Sequence, residues 1–147
     1  MADLIIDGSD KVLGRVGSQV AKQLLNGKSV VLLNAEKISI SGDRKVLFEK
    51  YKQLLELKDK ANPEHSPYWS RRPDLFVKRS IRGMLPYKKP KGKAAYKLLK
   101  VYIGTPEEFK SADVSKVESK SPKELYQNAM TVSELMEDLG YKNHLNR

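Results

Sequence analysis

Apolar positions along the chain alternate between short continuous runs and a three-to-four spacing, and the alternation lays out the elements. Leu4–Asp7 (LIID) is an apolar run followed by Gly8, which predicts a buried strand. In KVLGRVGSQVAKQLLNGK, Leu13, Val16, Val20 and Leu24 recur at the spacing of one helix face, and Asn26 with Gly27 makes a natural C-terminal stop. SVVLL, residues 29–33, is apolar after its first residue and β-branched at its start, so it predicts a second buried strand. Strand, helix and strand at this separation form a βαβ unit, hence a parallel sheet with at least one covered face.

Ile38 and Ile40 alternate with polar residues and predict a brief, half-buried extended piece. Gly42 and Asp43 open a second helix that runs to about residue 57, with Leu47, Tyr51, Leu54 and Leu55 as its inward stripe. Residues 59–72 read as a loop, with Pro63, Pro67 and the pair Tyr68 and Trp69. Pro73 and Asp74 suit the first turn of a third helix, where Pro is tolerated and an acid meets the positive end of the dipole. That helix should stop between Gly83 and Pro86. KVYIG, residues 100–104, reads as another strand closed by Pro106.

Beyond Phe109 the composition turns polar, so residues 1–109 read as a globular domain and 110–147 as an extension, irregular at first. TVSELMEDLG then carries a capping box (Thr131, Glu134) and a face of Val132, Leu135, Met136 and Leu139. A short helix near 131–139, packed on the parent domain, is expected.

Charge changes the picture more than length does. The formal net charge of the 147 residues is +10, and residues 71–100 hold eleven Lys or Arg against the single acid Asp74, so this segment contains the whole excess. A confined excess points to a surface for a polyanion. There is no cysteine, which excludes disulfides and thiolate metal sites. The acidic start MADLIIDGSD has no long apolar run, so neither a secretory signal nor a spanning helix is expected, and a cytoplasmic location is.

Small-molecule chemistry finds little support. Gly8, Gly14 and Gly17 have neither P-loop nor dinucleotide spacing, so tight turns and close helix–sheet packing account for them better. A helix start with Arg15 beside it could still hold a phosphate of a polymer. No HExxH spacing, nucleophile elbow or acid–base pair can be read, so no enzyme, metal or cofactor is expected.

The basic segment is more specific. In a helix over 74–85, Val77, Ile81, Met84 and Leu85 share one face, while Lys78, Arg79 and Arg82 share another. The helix would dock by its apolar side and present a cationic ridge. With Asp74 alone nearby, these cations require an external polyanion. YKKPKGK, residues 87–93, is expected to be an irregular cationic loop because of Pro86, Pro90 and Gly92, its lysines tracking a phosphate backbone. Tyr68, Trp69, Arg71 and Arg72 offer rings and guanidinium planes to unstacked bases. For Trp69, plugging the edge of the core is an equally weighted alternative.

Taken in order, IDGSDKVLGRVGSQVAKQLLNGK, VVLLNAEKISISG and RSIRGMLPYKKPKGKAAYKLLKVYIGTP closely resemble the thirteenth large-subunit ribosomal protein family in its archaeal and eukaryotic form, over roughly residues 3–106. The loop PEHSPYWSRRPD departs from the family pattern, which has a Gly-Pro and a single basic step there. The resemblance implies a three-layer α/β/α fold with a mainly parallel four-stranded sheet. It implies a structural, non-enzymatic constituent of the large ribosomal subunit that binds ribosomal RNA and supports assembly. Its partners would be that RNA and neighbouring ribosomal proteins, with one copy per subunit, a monomer when free, no membrane and no small-molecule substrate. The resemblance implies RNA contacts at Arg15, Arg79, Arg82, Gly83, Lys88, Lys89, Lys91 and Lys93, and the reading of the basic segment adds Arg71, Arg72 and Lys78 as candidate RNA-binding residues. The competing reading is a small α/β enzyme or binder of a phosphorylated metabolite at the Gly14–Arg15 helix start.

Overall fold

The first apolar run forms strand β1 (Leu4–Asp7) in the computed structural model, which describes residues 3–110 and 128–142. Helix α1 (Leu13–Leu25) follows and buries Leu13, Val16, Val20 and Leu24, the face that the spacing predicts. Gly27 adopts a φ of 86° and ends the helix, its N–H donating to the Leu24 carbonyl. Strand β2 (Val30–Leu33) is buried at every position, so both faces of the sheet are covered there. β1 and β2 pair in parallel with Leu4 opposite Val30, closing the predicted βαβ unit.

Strand β4 (Leu99–Val101) joins the other side of β2 in parallel, giving the order β1-β2-β4. The α/β class stands, but among the described residues the parallel sheet has three strands rather than four. Strand β3 (Ser39–Ser41) leaves it: Asn34 turns left-handed at φ 54°, a 3₁₀ turn over Ala35–Lys37 redirects the chain, and a bridge joins Ser39 to Val12 just before α1. β3 pairs instead, antiparallel, with β5 (Ala129–Thr131). That partner lies about ninety residues on, beyond the reach of any local pattern.

Helix α2 (Arg44–Glu56) is peripheral, with Leu47 buried and Tyr51, Leu54 and Leu55 half-buried. Helix α3 (Pro73–Gly83) buries Phe76, Val77 and Ile81, and Leu85 is buried just beyond its end. Met84, expected on that inward face, is 40% exposed; its thioether lies over Gly17 of α1, where a Cβ would come within 2.8 Å of its sulfur.

The expected irregular loop after Pro86 is only a turn. Helix α4 (Pro90–Lys97) starts directly behind it, with Pro90 in the first turn, where no N–H is needed. Gly92 makes the helix possible, because a Cβ there would collide with the Pro86 carbonyl of the preceding turn. Lys91 and Lys93 therefore stand on a helix.

Helix α5 (Val132–Asp138) is capped by Thr131 and Glu134, each side chain accepting from the other's backbone N–H. Met130, Val132, Leu135 and Met136 are buried in the same cluster as Ile6, Val16 and Leu32. Arg44 donates twice to Asp138, tying α2 to α5. Residues 111–127, expected to wrap irregularly, lie outside the described residues.

Candidate nucleic-acid interface

Helix α3 packs against α1 and β4 through its apolar face, which leaves the opposite side to its cations. Each cation there sits over a ring. Lys78 Nζ lies 5.2 Å from the centre of the Tyr96 ring, and the Arg82 guanidinium 5.1 Å from that of Tyr87. The two tyrosines meet edge to face at 5.4 Å, so the end of α3, the turn and α4 are coupled through one aromatic pair. Burial, opposed by the charge of Arg82, pushes the Tyr96 hydroxyl above its ordinary value.

Arg79 has a different environment. Its guanidinium sits over the Trp69 ring and donates to the carbonyl of Tyr68. Burial, followed by the charge of neighbouring Arg82, pulls it below the ordinary arginine value. Trp69 shares a small cleft with Tyr51, Leu55, Phe76, Met136 and Leu139. Core edge and stacking platform are thus combined at Trp69, with an arginine of the same chain as the stacked partner. The neighbouring Tyr68 is 81% exposed.

Arg82, Gly83, Lys88 and Lys89 come together around one open concavity of about 540 Å³, completed by Leu85, Pro86 and Tyr87. Lys88, Lys89, Lys91 and Lys93 are exposed, and none has an ion-pair partner among the described residues. Lys89 occupies the N-cap position of α4 without a side-chain cap, and no acid lies in the first turn. Four lysines at the positive end of a helix dipole repel that end, so the arrangement favours a bound anion.

Arg71 and Arg72 sit apart, at a second concavity beside Tyr68 and Trp69. Arg72 is engaged in a two-point ion pair with Asp74, at 2.8 and 3.2 Å. Arg15 is exposed on the first turn of α1 and lines neither concavity. The rings of Tyr87 and Tyr96 were missed by the sequence reading. Their signal was present as tyrosines interleaved with lysines, but only the fold stacks them under cations of α3.

Comparison with known proteins gives a consistent picture. The family described as "Ribosomal protein L13" matches residues 2–108. The chain is 44% identical to the large ribosomal subunit protein uL13 of Methanosphaera stadtmanae over 135 residues, 90% of this chain and 95% of that protein. It is 44% identical to the uL13 of Archaeoglobus fulgidus over 114 residues, covering 78% and 71% of the two chains. With the uL13 of Methanocaldococcus jannaschii it shares 40% identity over 139 residues, 94% and 98% of the two chains.

Proposed function

Because the chain belongs to the ribosomal protein L13 family, we propose that it is a structural, non-enzymatic constituent of the large ribosomal subunit that binds large-subunit ribosomal RNA. The face formed by α3, the following turn and the start of α4 is the principal contact. One observation carries this reading: Lys88, Lys89, Lys91 and Lys93 gather at the positive end of α4 without an ion-pair partner among the described residues.

The ridge and the turn have complementary roles. Arg82 and Gly83 form one wall of the groove, and Gly83 allows a phosphate to approach the backbone closely. The lysines act as point charges along the backbone, and Lys78 extends the ridge. Arg15, Arg71 and Arg72 form outlying contacts. Recognition of this kind follows the shape of folded RNA and its phosphates rather than a linear base code. Neighbouring ribosomal proteins complete the environment, and the chain enters the subunit as one copy, on the ribosome. Residues 110–147 act as an extension of the RNA-binding domain, with part of it folded back into the domain core.

The metabolite-binding alternative has less support, since Gly8 and Gly17 serve packing and Gly14, at the helix start, has nothing beside it to wall a pocket. Ile38 fills the space beside Gly8, Met84 covers Gly17, and Gly14 faces open space.

Binding of the full chain to transcribed large-subunit ribosomal RNA tests the proposal. The logarithm of affinity should fall linearly with the logarithm of salt, by about 0.7 to 0.9 per phosphate neutralised. In cell extract the protein should sediment with the large subunit at moderate salt. Salt-insensitive binding, or migration as a free small protein, overturns the assignment.

A further inference from the structure

The loop before α3 builds a second concavity that the groove at Arg82 and Lys89 does not use. It is an open crevice of about 750 Å³ between the end of α2, the loop and the first turn of α3. Leu57 and Leu75, 53% and 43% exposed, form apolar walls, and the exposed ring of Tyr68 stands beside them. The charged residues lining it are Lys58, Arg71 and Arg72, and no acid among the described residues lines it.

Tyr68 combines two properties that rarely occur together. Its backbone is fixed, because the Tyr68 carbonyl accepts from Arg79 and the adjoining Trp69 ring lies under the same guanidinium. Its ring is nonetheless almost wholly in solvent. An exposed aromatic on a mobile loop loses conformational freedom on binding; one held in place loses less.

We infer that this crevice holds one unstacked nucleotide of the large-subunit ribosomal RNA, with its base on the Tyr68 ring and its phosphates met by Lys58 and Arg71. The inference rests on the RNA-binding reading above and deepens it. A flat, solvent-facing ring on a held backbone suits a base, every one of which has a π-face. The all-basic lining suits a ligand that brings a phosphate with each base, and the volume suits a nucleotide-sized guest. Arg72 is already bound to Asp74. Lys58 and Arg71 have no ion-pair partner among the described residues, so the phosphates fall to them.

The test uses the full chain and transcribed large-subunit ribosomal RNA. Tyr68→Ala removes the ring but not the carbonyl that Arg79 holds, so thermal unfolding should be unchanged. Its affinity should fall about 5- to 150-fold, the range found for loss of one stacked base. The salt slope should stay as in the unmodified chain, since stacking releases no counterions. Tyr68→Phe should bind like the unmodified chain, and ultraviolet cross-linking should attach a nucleotide at Tyr68. Unchanged affinity of Tyr68→Ala, with steep salt dependence intact, overturns the crevice and leaves the RNA-binding reading standing. Unchanged RNA affinity with poor incorporation into large subunits assigns the crevice to a protein neighbour and also overturns it. Salt-insensitive binding by the unmodified chain removes the underlying reading instead.

Discussion

The Arg79 guanidinium lies 3.8 Å from the centre of the Trp69 ring while donating to the carbonyl of the residue before it. A cation in the middle of the basic segment is therefore a latch inside the protein. It joins α3 to the loop that precedes it, and the loop in turn closes the cleft that Trp69 shares with Met136 and Leu139. Any RNA contact made by Arg79 is made by a group that already has two partners.

Removing the latch should loosen the loop. Arg79→Ala is expected to lower stability by about 1–3 kcal/mol, combining a partly desolvated cation–π contact with a charge-assisted hydrogen bond. Arg79→Lys should not restore it, because an ammonium offers neither the planar stack nor the fork. Chemical unfolding measures the loss, and limited proteolysis should show new cleavage within residues 58–72.

Two glycines of the basic segment should respond oppositely to alanine. At Gly92 a Cβ would meet the Pro86 backbone, which cannot yield cheaply, so Gly92→Ala should destabilise by about 1–3 kcal/mol despite the better helix propensity. At Gly83 nothing lies within 4 Å of an added Cβ, so Gly83→Ala should be neutral or stabilising by up to about 1 kcal/mol. RNA affinity of Gly83→Ala should fall even so, because Gly83 lines the groove. Melting temperature and affinity measured on the same samples separate the two effects.

Not every cation of the segment should count equally in the salt slope. Lys88→Ala should reduce it by about one contact, 0.7 to 0.9. Arg72→Ala should reduce it less, since Arg72 is held by Asp74 before any RNA arrives. Equal effects from the two would show that RNA displaces the ion pair.

Acid should weaken the end of β1. Burial pushes the Asp7 carboxyl up, but hydrogen bonds from Asn34 and from the Ser9 amide and hydroxyl outweigh it, so the group lies below its ordinary value. A lowered carboxyl contributes stability above its unfolded value of about 3.9, and that contribution is lost as pH falls through the folded value. Unfolding free energies between about pH 5 and pH 2 should therefore fall more steeply for the unmodified chain than for Asp7→Asn. Asp3, held by Ser29 and also lowered, titrates in the same region, which is why the comparison must be with the single variant.

Helix α5 should matter to stability through its buried face. Leu135 is fully buried, and Leu135→Ala should cost about 2–5 kcal/mol through the cavity it leaves. Asp138→Ala breaks only an exposed ion pair with Arg44 and should cost under about 1 kcal/mol. Denaturant titration distinguishes them.

Local periodicity was enough to set out β1, α1, β2 and α3, because each buries a stripe whose spacing matches its own geometry: Leu13, Val16, Val20 and Leu24 can share a face only in a helix. The capping box at Thr131 and Glu134 was legible for the same reason, since its partners are three residues apart. The confined charge of residues 71–100 needed no structure at all. Where partners are distant in sequence, the pattern was silent. β3 left the parallel sheet for β5, and α4 formed where Pro90 and Gly92 suggested a loop, because a residue without a Cβ at position 92 lets the helix pack on the Pro86 backbone. Which cations are free, which are latches and which ring faces solvent also depended on the fold. Charge and amphipathic spacing are properties of neighbours along the chain, whereas pairing, stacking and exposure belong to neighbours in space, and only tertiary packing chooses those.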